Sequence, residues 1–277
     1  MNNKKKITFR RLYDYVFNFS LTINLFLIKL FEPDFRKKYK SNTEKDNMTL
    51  TFLDDFEGLE IDKNKWSHLM WWGQNYHPEN KNEWYDINEC ILDNNSFLSM
   101  NIAKKQATFP EGTFNYAVGH LCNSFSFEQQ YGYFEIRCKI PSGRGTWPAF
   151  WLGSKHSWPP EIDLFEFYTG KKKDCLESNV HWGKQPGHPS QVMKHKLWKT
   201  SEKFNVYAVD WRENKMDFYW NGVLIRRITD KQILKDFNVP MSIIIGNGID
   251  PAPNRGFSDS NLPLTFKVDW VRAYKHN

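Results

Sequence analysis

Three carboxylates stand close together in the segment EIDLFE, which spans residues 161–166. They are Glu161, Asp163 and Glu166, and the residues between them are apolar. Carboxyl groups that share an apolar setting raise one another's pKa, because ionising a second group beside the first is electrostatically unfavourable. A carboxyl group that keeps its proton near neutral pH can act as a general acid, while an ionised neighbour can act as a base or nucleophile. The segment is therefore a candidate catalytic site.

The surrounding sequence predicts that this segment is a β-strand, and the strand decides where the carboxylates point. Residues i and i+2 of a regular strand share a face, so Glu161 and Asp163 point the same way and Glu166 points to the other side. One extra residue, accommodated as a β-bulge at residues 164–165, returns Glu166 to the first face. We expect this bulge, with all three carboxylates on one face and the apolar residues toward the core.

A solvated strand face that happens to be acidic is the alternative to a functional site. However, three like charges on one short face repel one another, which destabilises the strand unless the arrangement has a use. Four strand steps of about 3.3 Å separate the α-carbons of Glu161 and Glu166 by roughly 13 Å. The carboxyl groups of a retaining glycosidase lie about 5 to 5.5 Å apart. For that chemistry, the two side chains must lean toward each other over Asp163.

The elements that must position these residues are short strands. From Thr49 onward, aromatic and β-branched runs alternate with turn residues, a pattern that predicts an antiparallel sandwich or barrel. The clearest hairpin signal is DFYWNGVLI, with Asn221 and Gly222 at the turn. Helical signal is weak in this part of the chain and amounts to one turn near TDKQILKDF. The runs are YGYFEIRCKIP, TWPAFWLG, EIDLFEFY, NVHW, FNVYAVDW, KMDFYWNGVLIRRI, MSIIIG and LTFKVDWVRAY.

Composition and charge restrict the possible partners. Aromatic residues make up 17% of the chain, which suits pleated sheet surfaces and stacking platforms for ligands. Residues 1–48 carry eleven Lys or Arg and five Asp or Glu; the whole chain carries 38 and 32, so residues 49–277 carry 27 of each sign. A nucleic-acid-binding domain needs a basic stripe on its folded part, so we expect no nucleic-acid partner. We divide the chain into a basic N-terminal extension, residues 1–48, and a catalytic domain, residues 49–277.

The N-terminal extension contains an uncharged run of thirteen residues, Val16–Ile28, with Arg10 and Arg11 before it and Lys29 after it. This run is too short for a transmembrane helix, which needs about 20 residues. Its length matches the apolar region of a signal peptide, although no small-residue cleavage site follows. A membrane-surface anchor and a short docking element are the alternatives. We expect secretion or membrane association through residues 1–48 rather than a cytoplasmic location.

The four cysteines are widely spaced and form no C-x-x-C or Cys/His cluster, so a zinc site is not expected. A domain of this size does not need a disulfide framework, and free core thiols are the expectation. A bridge between Cys122 and Cys138, which flank a predicted strand pair, is the alternative. The other two cysteines are Cys90 and Cys175.

The residues around the carboxylates resemble a known family. YGYFEIRCKIPSGRGTWPAFWLG followed by EIDLFEF resembles glycoside hydrolase family 16, whose laminarinase-like branch carries a bulged E-x-D-x-x-E motif. DDFEGLEIDKNKW, NVHWG and VDWVRAY are further similarities, and the resemblance spans Leu53 to Tyr274. It implies an all-β fold, a concave antiparallel β-sandwich of the jelly-roll, concanavalin A-like type. It also implies cleavage of β-linked glycans with retention of configuration.

The resemblance implies a role for each carboxylate. Glu161 is expected to be the nucleophile that forms a covalent glycosyl-enzyme. Glu166 is expected to protonate the leaving oxygen and then to activate water as a base. Asp163 is expected to hold a hydrogen bond to the nucleophile and to tune the protonation of the pair. Because that role is electrostatic, replacing Asp163 by Asn should reduce activity less than the loss of either glutamate.

Four further residues are candidates for substrate binding. Trp147 matches the family tryptophan that stacks on a sugar, and a buried core tryptophan is the alternative. Trp158 precedes Glu161 by three residues and either lines the cleft or closes a loop. His181 in NVHWG is expected to bond to Asp163 or to substrate, or else to be a structural histidine. Asn247 in IIIGNGI is expected in the last strand of the cleft.

The resemblance also suggests a structural calcium ion on the side of the sandwich opposite the cleft. Asp269 in the closing VDW strand matches a family ligand, and its oxygen would suit calcium. The segment LDNNSFL departs from the family pattern where a loop glycine is usual. A plain surface aspartate is the more economical interpretation. No cofactor is expected to be required for catalysis.

The leading hypothesis is a monomeric retaining endo-glycoside hydrolase whose partner is a polysaccharide substrate, with β-1,3-glucan preferred. The alternatives are a transglycosylase, an agarase- or carrageenase-type galactanase on the same site, and a lectin-like binding module without activity. A binding module has no use for an acid/base pair, so the intact carboxylates disfavour it. A sulfated substrate would require basic residues in the cleft. The nearest in sequence are Arg144, Lys155 and residues 171–173, and such runs are usually solvated loop faces.

Overall fold

A computed structural model of the chain describes residues 9–31, 43–77, 80, 82–93, 97–170, 175–252 and 256–277. The described residues form two α-helices and two packed β-sheets, and the sheets are what the short aromatic runs predict. The helices are α1 (Phe9–Phe31) and α2 (Lys231–Leu234). The predicted one-turn helix in TDKQILKDF is thus confirmed by α2, whose first turn is capped by the Asp230 side chain.

The larger sheet has ten strands. Eight follow one path in the order β14-β13-β12-β7-β16-β4-β5-β2, while β1 pairs with β16 and β3 pairs with β4. The strands are β1 (Met48–Asp54), β2 (Glu83–Tyr85), β3 (Cys90–Asp93), β4 (Phe97–Phe109), β5 (Gly112–Val118), β7 (Gly132–Lys139), β12 (Asn205–Arg212), β13 (Lys215–Trp220), β14 (Val223–Ile228) and β16 (Leu264–His276). All pairs in this sheet are antiparallel except β2 with β5, which is parallel.

The smaller sheet has six antiparallel strands in the order β11-β10-β9-β8-β15-β6. It carries the EIDLFE segment as its third strand. The strands are β6 (His120–Cys122), β8 (Thr146–Gly153), β9 (Glu161–Glu166), β10 (Cys175–His181), β11 (Met193–Lys196) and β15 (Ser242–Ile249).

The core lies between the two sheets and is rich in aromatic side chains. Phe165 of β9 is buried, and its ring centroid lies 4.8 Å from that of Tyr207 on β12 and 6.2 Å from that of Phe266 on β16. Rings packed edge to face at such separations bury large apolar areas. The residues of β9 that do not carry charge therefore anchor the strand against the larger sheet, which fixes the direction in which the carboxylates point.

Two predictions about local structure are settled by the chain path. Asn221 and Gly222 both have positive φ, 46° and 79°, in the two-residue turn between β13 and β14, which confirms the predicted hairpin. All four cysteines are free thiols. Cys122 lies on β6 and Cys138 on β7, in different sheets, so the expected strand pair between them is wrong and a bridge is not formed.

The N-terminal helix is longer than the apolar run that suggested it. The helix α1 has 23 residues because it continues through Asp14 and past Lys29, where the uncharged run stops. By length and composition it is long enough and apolar enough to cross a membrane, so the prediction that this segment is too short was wrong. It packs against β14, the edge strand of the larger sheet.

Candidate active site

Strand β9 carries the bulge that the sequence predicts. Its register to β8 shifts between the pairs Phe150–Phe165 and Trp151–Asp163, which leaves Leu164 as the extra residue. The register to β10 shifts over the same residues. As a result, the three carboxylates all line one cavity of about 590 Å³, while the four apolar side chains of residues 162, 164, 165 and 167 are buried in the core.

The carboxylate of Glu161 is held from two sides. Trp158 donates its indole N–H to Oε2 at 2.8 Å, and Nε2 of His181 lies 3.6 Å from Oε1. Burial raises the pKa of Glu161 well above its ordinary value, and the neighbouring charge of Asp163 raises it further. The Trp158 hydrogen bond and the proximity of His181 act in the opposite direction. Glu161 is thus fixed in position and close to a second acid.

Glu166 occupies the other end of the carboxylate row. Trp147 donates its indole N–H to Oε1 at 3.1 Å, and the Tyr168 hydroxyl donates to the same oxygen at 3.0 Å. The two rings stack on each other with a centroid distance of 5.2 Å. Burial raises the pKa of Glu166, and these two hydrogen bonds partly offset the rise. Both hydrogen bonds are to Oε1, so Oε2 is the oxygen through which Glu166 can exchange a proton.

Asp163 lies between the two glutamates and is almost fully buried. Its Oδ2 atom has no hydrogen-bond partner within the described part of the chain, and Nε2 of His181 is 3.5 Å away. Burial and then the charge of Glu166 raise the pKa of Asp163 well above its usual range. A hydrogen bond with Glu161 and then the buried guanidinium of Arg226 act in the opposite direction. Three acids therefore compete for protons along one strand.

A row of polar side chains extends from the carboxylates to the loop after β10. Asn179 pairs with Asp163 across the strands and places its Nδ2 atom 2.8 Å from Nε2 of His181. The other ring nitrogen of His181 lies 3.0 Å from Nε2 of His188. The His188 ring contacts Trp158 edge to face at 4.5 Å. Neither Asn179 nor His188 was predicted, because nothing in their spacing shows that they lie beside the carboxylates.

Three of the four predicted substrate-binding residues lie at the cavity or beside the carboxylates, and one does not. Trp147 and Trp158 line the cavity, and His181 lies beside two of the carboxylates. Asn247 is a correction: its side chain is fully buried and donates to the carbonyls of Met100 and Leu264, at 2.8 Å each. Residues alternate along β15, so the two glycines that flank Asn247 face the cavity instead.

The cavity has aromatic walls that the sequence analysis did not single out. Trp71, Trp72 and Trp151 line it, and Trp71 contacts Trp151 edge to face at 5.8 Å. The run MWWGQNYH predicts an aromatic wall only if its loop is known to fold over β8, and the sequence alone does not show this. Glu83 adds a fourth carboxyl group to the lining, and burial raises its pKa to about 8.

Metal binding was tested at two places. Asp269 pairs with the Arg137 guanidinium, and among the described residues it belongs to no group of three or more His, Cys, Asp or Glu ligand atoms. Ligand atoms of Glu161, Asp163 and His181 lie within 4.8 Å of one another. A cation bound there would compete with protons for the same oxygen and nitrogen atoms.

The basic residues near the motif are engaged outside the cavity. Lys155 forms an ion pair of 2.6 Å with Glu128, and Arg144 donates to the carbonyl of Gly170 at 3.1 Å. Neither lines the cavity. Residues 171–173 lie outside the described residues.

A β-sandwich whose cavity combines crowded carboxyl groups with tryptophan rings is typical of carbohydrate-active proteins. Comparison with known proteins identifies the family: the sequence model of glycosyl hydrolases family 16 matches residues 78–272, which is more than half of the chain. The chain belongs to this family.

Individual relatives agree with that assignment. The chain is 26% identical over 258 residues to the endo-1,3-1,4-beta-glycanase ExsH of Rhizobium meliloti (strain 1021), covering 86% of this chain and 54% of that protein. The laminarinase catalytic domain of Thermotoga maritima MSB8 shares the fold, with a TM-score of 0.70, 22% identity, and coverage of 83% of this chain and 99% of that one. The endo-beta-1,3-glucanase of Pyrococcus furiosus superposes with a TM-score of 0.69 and 27% identity, covering 83% and 95%. The chain spans about half the length of the first two curated relatives.

Proposed function

We propose that this chain is a retaining endo-glycoside hydrolase that cleaves β-1,3-linked glucan by double displacement, with residues 49–277 as the catalytic domain. The observation that supports it best is the bulged strand β9, which brings Glu161, Asp163 and Glu166 to one cavity. Their different hydrogen-bond partners suit different roles. The names of the relatives, an endo-1,3-1,4-beta-glycanase, a laminarinase and an endo-beta-1,3-glucanase, support the substrate class.

In the first step, a carboxylate oxygen of Glu161 attacks the anomeric carbon, and the glycosidic C–O bond breaks. Glu166 transfers its proton to the departing oxygen, so that the leaving sugar is released as an alcohol. Trp158 holds Glu161 in place for the attack. The raised pKa of Glu166 keeps the proton on this group at a pH where an ordinary glutamic acid would have lost it.

In the second step, the ionised Glu166 removes a proton from a water molecule. The water oxygen attacks the anomeric carbon, and the bond to Glu161 breaks to regenerate its carboxylate. Two inversions give net retention of configuration. The Trp147 and Tyr168 hydrogen bonds stabilise Glu166 in the ionised form that this step requires. These steps need no cofactor.

A neutral substrate fits the surroundings of the carboxylates better than a sulfated one. The two described basic residues nearest the motif in sequence, Lys155 and Arg144, are engaged outside the cavity. Tryptophan rings such as Trp71 and Trp151 offer apolar faces on which sugar rings stack. We therefore prefer β-1,3-glucan to agarose, porphyran or carrageenan.

The test is the release of reducing ends by the purified full chain from laminarin, mixed-linkage β-glucan, agarose, porphyran and carrageenan. Activity on laminarin that is lost in Glu161→Gln supports the proposal, and NMR of the first product should show the β-anomer. Glu60→Gln, an exposed carboxylate outside the cavity, is the matched control and should keep full activity. A folded chain that binds laminarin and cleaves none of these glycans would instead be a binding module.

The same assay separates the remaining alternatives. Transglycosylation would yield products longer than the substrate when short laminarin oligosaccharides are added as acceptors. Cleavage restricted to agarose or carrageenan would refute the glucan preference. We further propose that the protein is a monomer that acts outside the cytoplasm or at a membrane, through residues 1–48.

A further inference from the structure

The N-terminal helix α1 has its polar and apolar faces reversed relative to an ordinary surface helix. A helix on a soluble domain normally buries its apolar stripe and exposes its charged residues. In α1 the two most buried residues are Asp14 and Leu25, and most of its large apolar side chains are exposed. The buried and exposed faces have separate explanations.

The face toward the domain completes the hydrogen bonding of an edge strand. The Asp14 carboxylate accepts from the backbone N–H groups of Thr229 and Asp230, at 2.7 Å and 3.1 Å, and from the Thr229 hydroxyl at 2.7 Å. Asn18 accepts from the Arg227 N–H at 2.7 Å and donates to the Arg227 carbonyl at 2.8 Å. These bonds satisfy part of the exposed edge of β14, which would otherwise be open to pairing with another chain.

The opposite face is a continuous apolar surface. When successive residues are placed 100° apart, the exposed apolar residues fall within an arc of about 160°, opposite Asp14 and Asn18. The Ser20 hydroxyl, which lies inside this arc, donates to the carbonyl of Phe17 at 2.7 Å. The exposed apolar residues are Phe9, Leu12, Tyr13, Tyr15, Val16, Phe19, Ile23, Phe26, Leu27, Leu30 and Phe31.

We infer that α1 lies in the plane of an anionic membrane surface, with this apolar face in the lipid and its opposite face still bound to β14. Charge supports lipid as the occupant. The excess of positive charge in the chain falls in residues 1–48, with Lys or Arg on both sides of the apolar run, whereas residues 49–277 are neutral. An apolar helix face flanked by basic residues is the usual form of an in-plane membrane anchor.

Two other arrangements fit the contacts less well. If α1 spanned a bilayer, Asp14 and Asn18 would leave their partners on β14 and in the segment directly after it and enter the lipid interior, where polar groups are costly. If two copies paired through their α1 helices, the basic segments of both chains would be brought together and would repel each other. An anionic surface instead neutralises these charges.

The inference deepens the membrane association proposed above and does not depend on the catalytic proposal. Because α1 is bound to the domain by paired side chains, it would hold the catalytic domain in one orientation at the surface instead of on a free tether. Binding to vesicles and cleavage of soluble laminarin are separate measurements, so either proposal can fail while the other stands.

The experiment is co-sedimentation of the full chain with vesicles of phosphatidylcholine alone and of phosphatidylcholine mixed with phosphatidylglycerol. We expect binding to the anionic vesicles that weakens at high salt. The double variant Phe19→Asp with Phe26→Asp, on the apolar face, should weaken binding at least about tenfold, because it places two charges in the lipid. Thr22→Asp with Asn24→Asp, on the polar borders of the same helix, adds the same charge and should retain most of the binding.

Several results would overturn the inference. One is a full chain that does not bind anionic vesicles, or a control variant, Thr22→Asp with Asn24→Asp, that loses binding as completely as Phe19→Asp with Phe26→Asp. A second is a lipid-free dimer in sedimentation velocity that the Phe19 and Phe26 substitutions abolish, which would make a second copy the occupant. A third is resistance to carbonate extraction from native membranes, which would indicate a spanning helix. A fourth is N-terminal sequencing that shows α1 removed from the protein, as for a signal peptide.

Discussion

Buried carboxylates occur on both sheets of the sandwich, and their surroundings differ. On the larger sheet, Asp217 of β13 accepts from Arg227 at 2.5 Å and 2.7 Å and from Lys215 at 2.6 Å. Burial would raise its pKa, but these hydrogen bonds outweigh burial and the net pKa is lowered. On the smaller sheet, no Lys or Arg of the described residues lies within ion-pair distance of Glu161 or Asp163, and each has a raised pKa.

This difference separates a carboxylate that holds the fold together from one that is available for chemistry. Asp217 has basic partners two and ten residues away in sequence, on its own strand and its hairpin partner. The carboxylates of β9 have one another, a histidine and tryptophan N–H groups. An ionised acid that is bonded to Lys or Arg stabilises the folded protein. Acids that are crowded together without such a partner lower its stability, and they are typical of sites where protons are transferred.

The largest expected effect is on the smaller sheet. Glu161→Gln should lower the rate of laminarin hydrolysis by about 10³- to 10⁴-fold, because the amide cannot attack the anomeric carbon. Initial rates from reducing-end release measure the loss, and far-ultraviolet circular dichroism verifies that the variant is folded. If the variant kept most of its activity while Glu60→Gln behaved identically, Glu161 would not be the nucleophile.

The next effect is on the larger sheet and concerns stability. Asp217→Asn should lower the free energy of unfolding by about 3 kcal/mol, because it leaves Arg227 and Lys215 without their counter-ion. A group with a lowered pKa stabilises the fold above its unfolded pKa, and that contribution is lost as the pH falls through the folded value. The deficit should therefore be present at neutral pH and shrink below about pH 4. Urea unfolding at both pH values measures it.

A surface pair provides the control for this substitution. Lys104, on β4 of the larger sheet, forms an exposed ion pair of 2.6 Å with Asp259. Asp259→Asn should leave the unfolding midpoint unchanged, because exposed ion pairs are screened by solvent. Equal destabilisation by both variants would mean that burial of Asp217 is not what makes its ion pairs matter.

A smaller effect tests the residue between the two glutamates. Asp163→Asn should lower kcat by about tenfold to a hundredfold, equivalent to about 1.4 to 2.7 kcal/mol of activation free energy. The amide keeps the shape of the side chain but cannot share a proton with Glu161 or Glu166. Rates measured beside those of Glu161→Gln decide the order. A loss as large as that of Glu161→Gln would show that Asp163 takes part in bond making.

Several features of the fold and the site were predictable from the sequence, because each depends on residues that are close together in the chain. The spacing of residues 161, 163 and 166 requires a bulge if the acids are to share a face, and β9 has that bulge. The Asn221–Gly222 turn and the one-turn helix α2 also follow from local chemistry. In each case the determining residues are neighbours in the chain.

The wrong predictions concern features that depend on contacts between segments far apart in the sequence. Asn247 is predicted in the cleft but lies in the core, because strand register depends on pairing partners far away in sequence. The register places Gly246 rather than Asn247 toward the cleft, where a Cβ atom would lie 2.8 Å from the His120 ring. The length of α1 was underestimated because Asp14 counts as a break in an apolar run, yet its charge is accommodated by Thr229 and Asp230.

The smallest expected effect is on the free energy of unfolding, and it concerns the crowded acids of β9. A carboxyl group whose folded pKa is raised contributes its stability below the unfolded pKa, and that contribution is lost as the pH rises through the folded pKa. The crowded acids of β9 should therefore weaken the fold at neutral pH. Glu161→Gln removes one ionisable group from the row, so it should raise the free energy of unfolding at pH 7 by about 1 kcal/mol.

The pH dependence of this gain makes the test specific. At about pH 3, where the acids of the unfolded chain are themselves largely protonated, the gain should disappear. Thermal unfolding of wild type and Glu161→Gln at both pH values measures it. A gain of equal size at both pH values would point to better packing of the amide instead of relief of charge. A loss at pH 7 would mean that Glu161, like Asp217, is a carboxylate that the fold depends on.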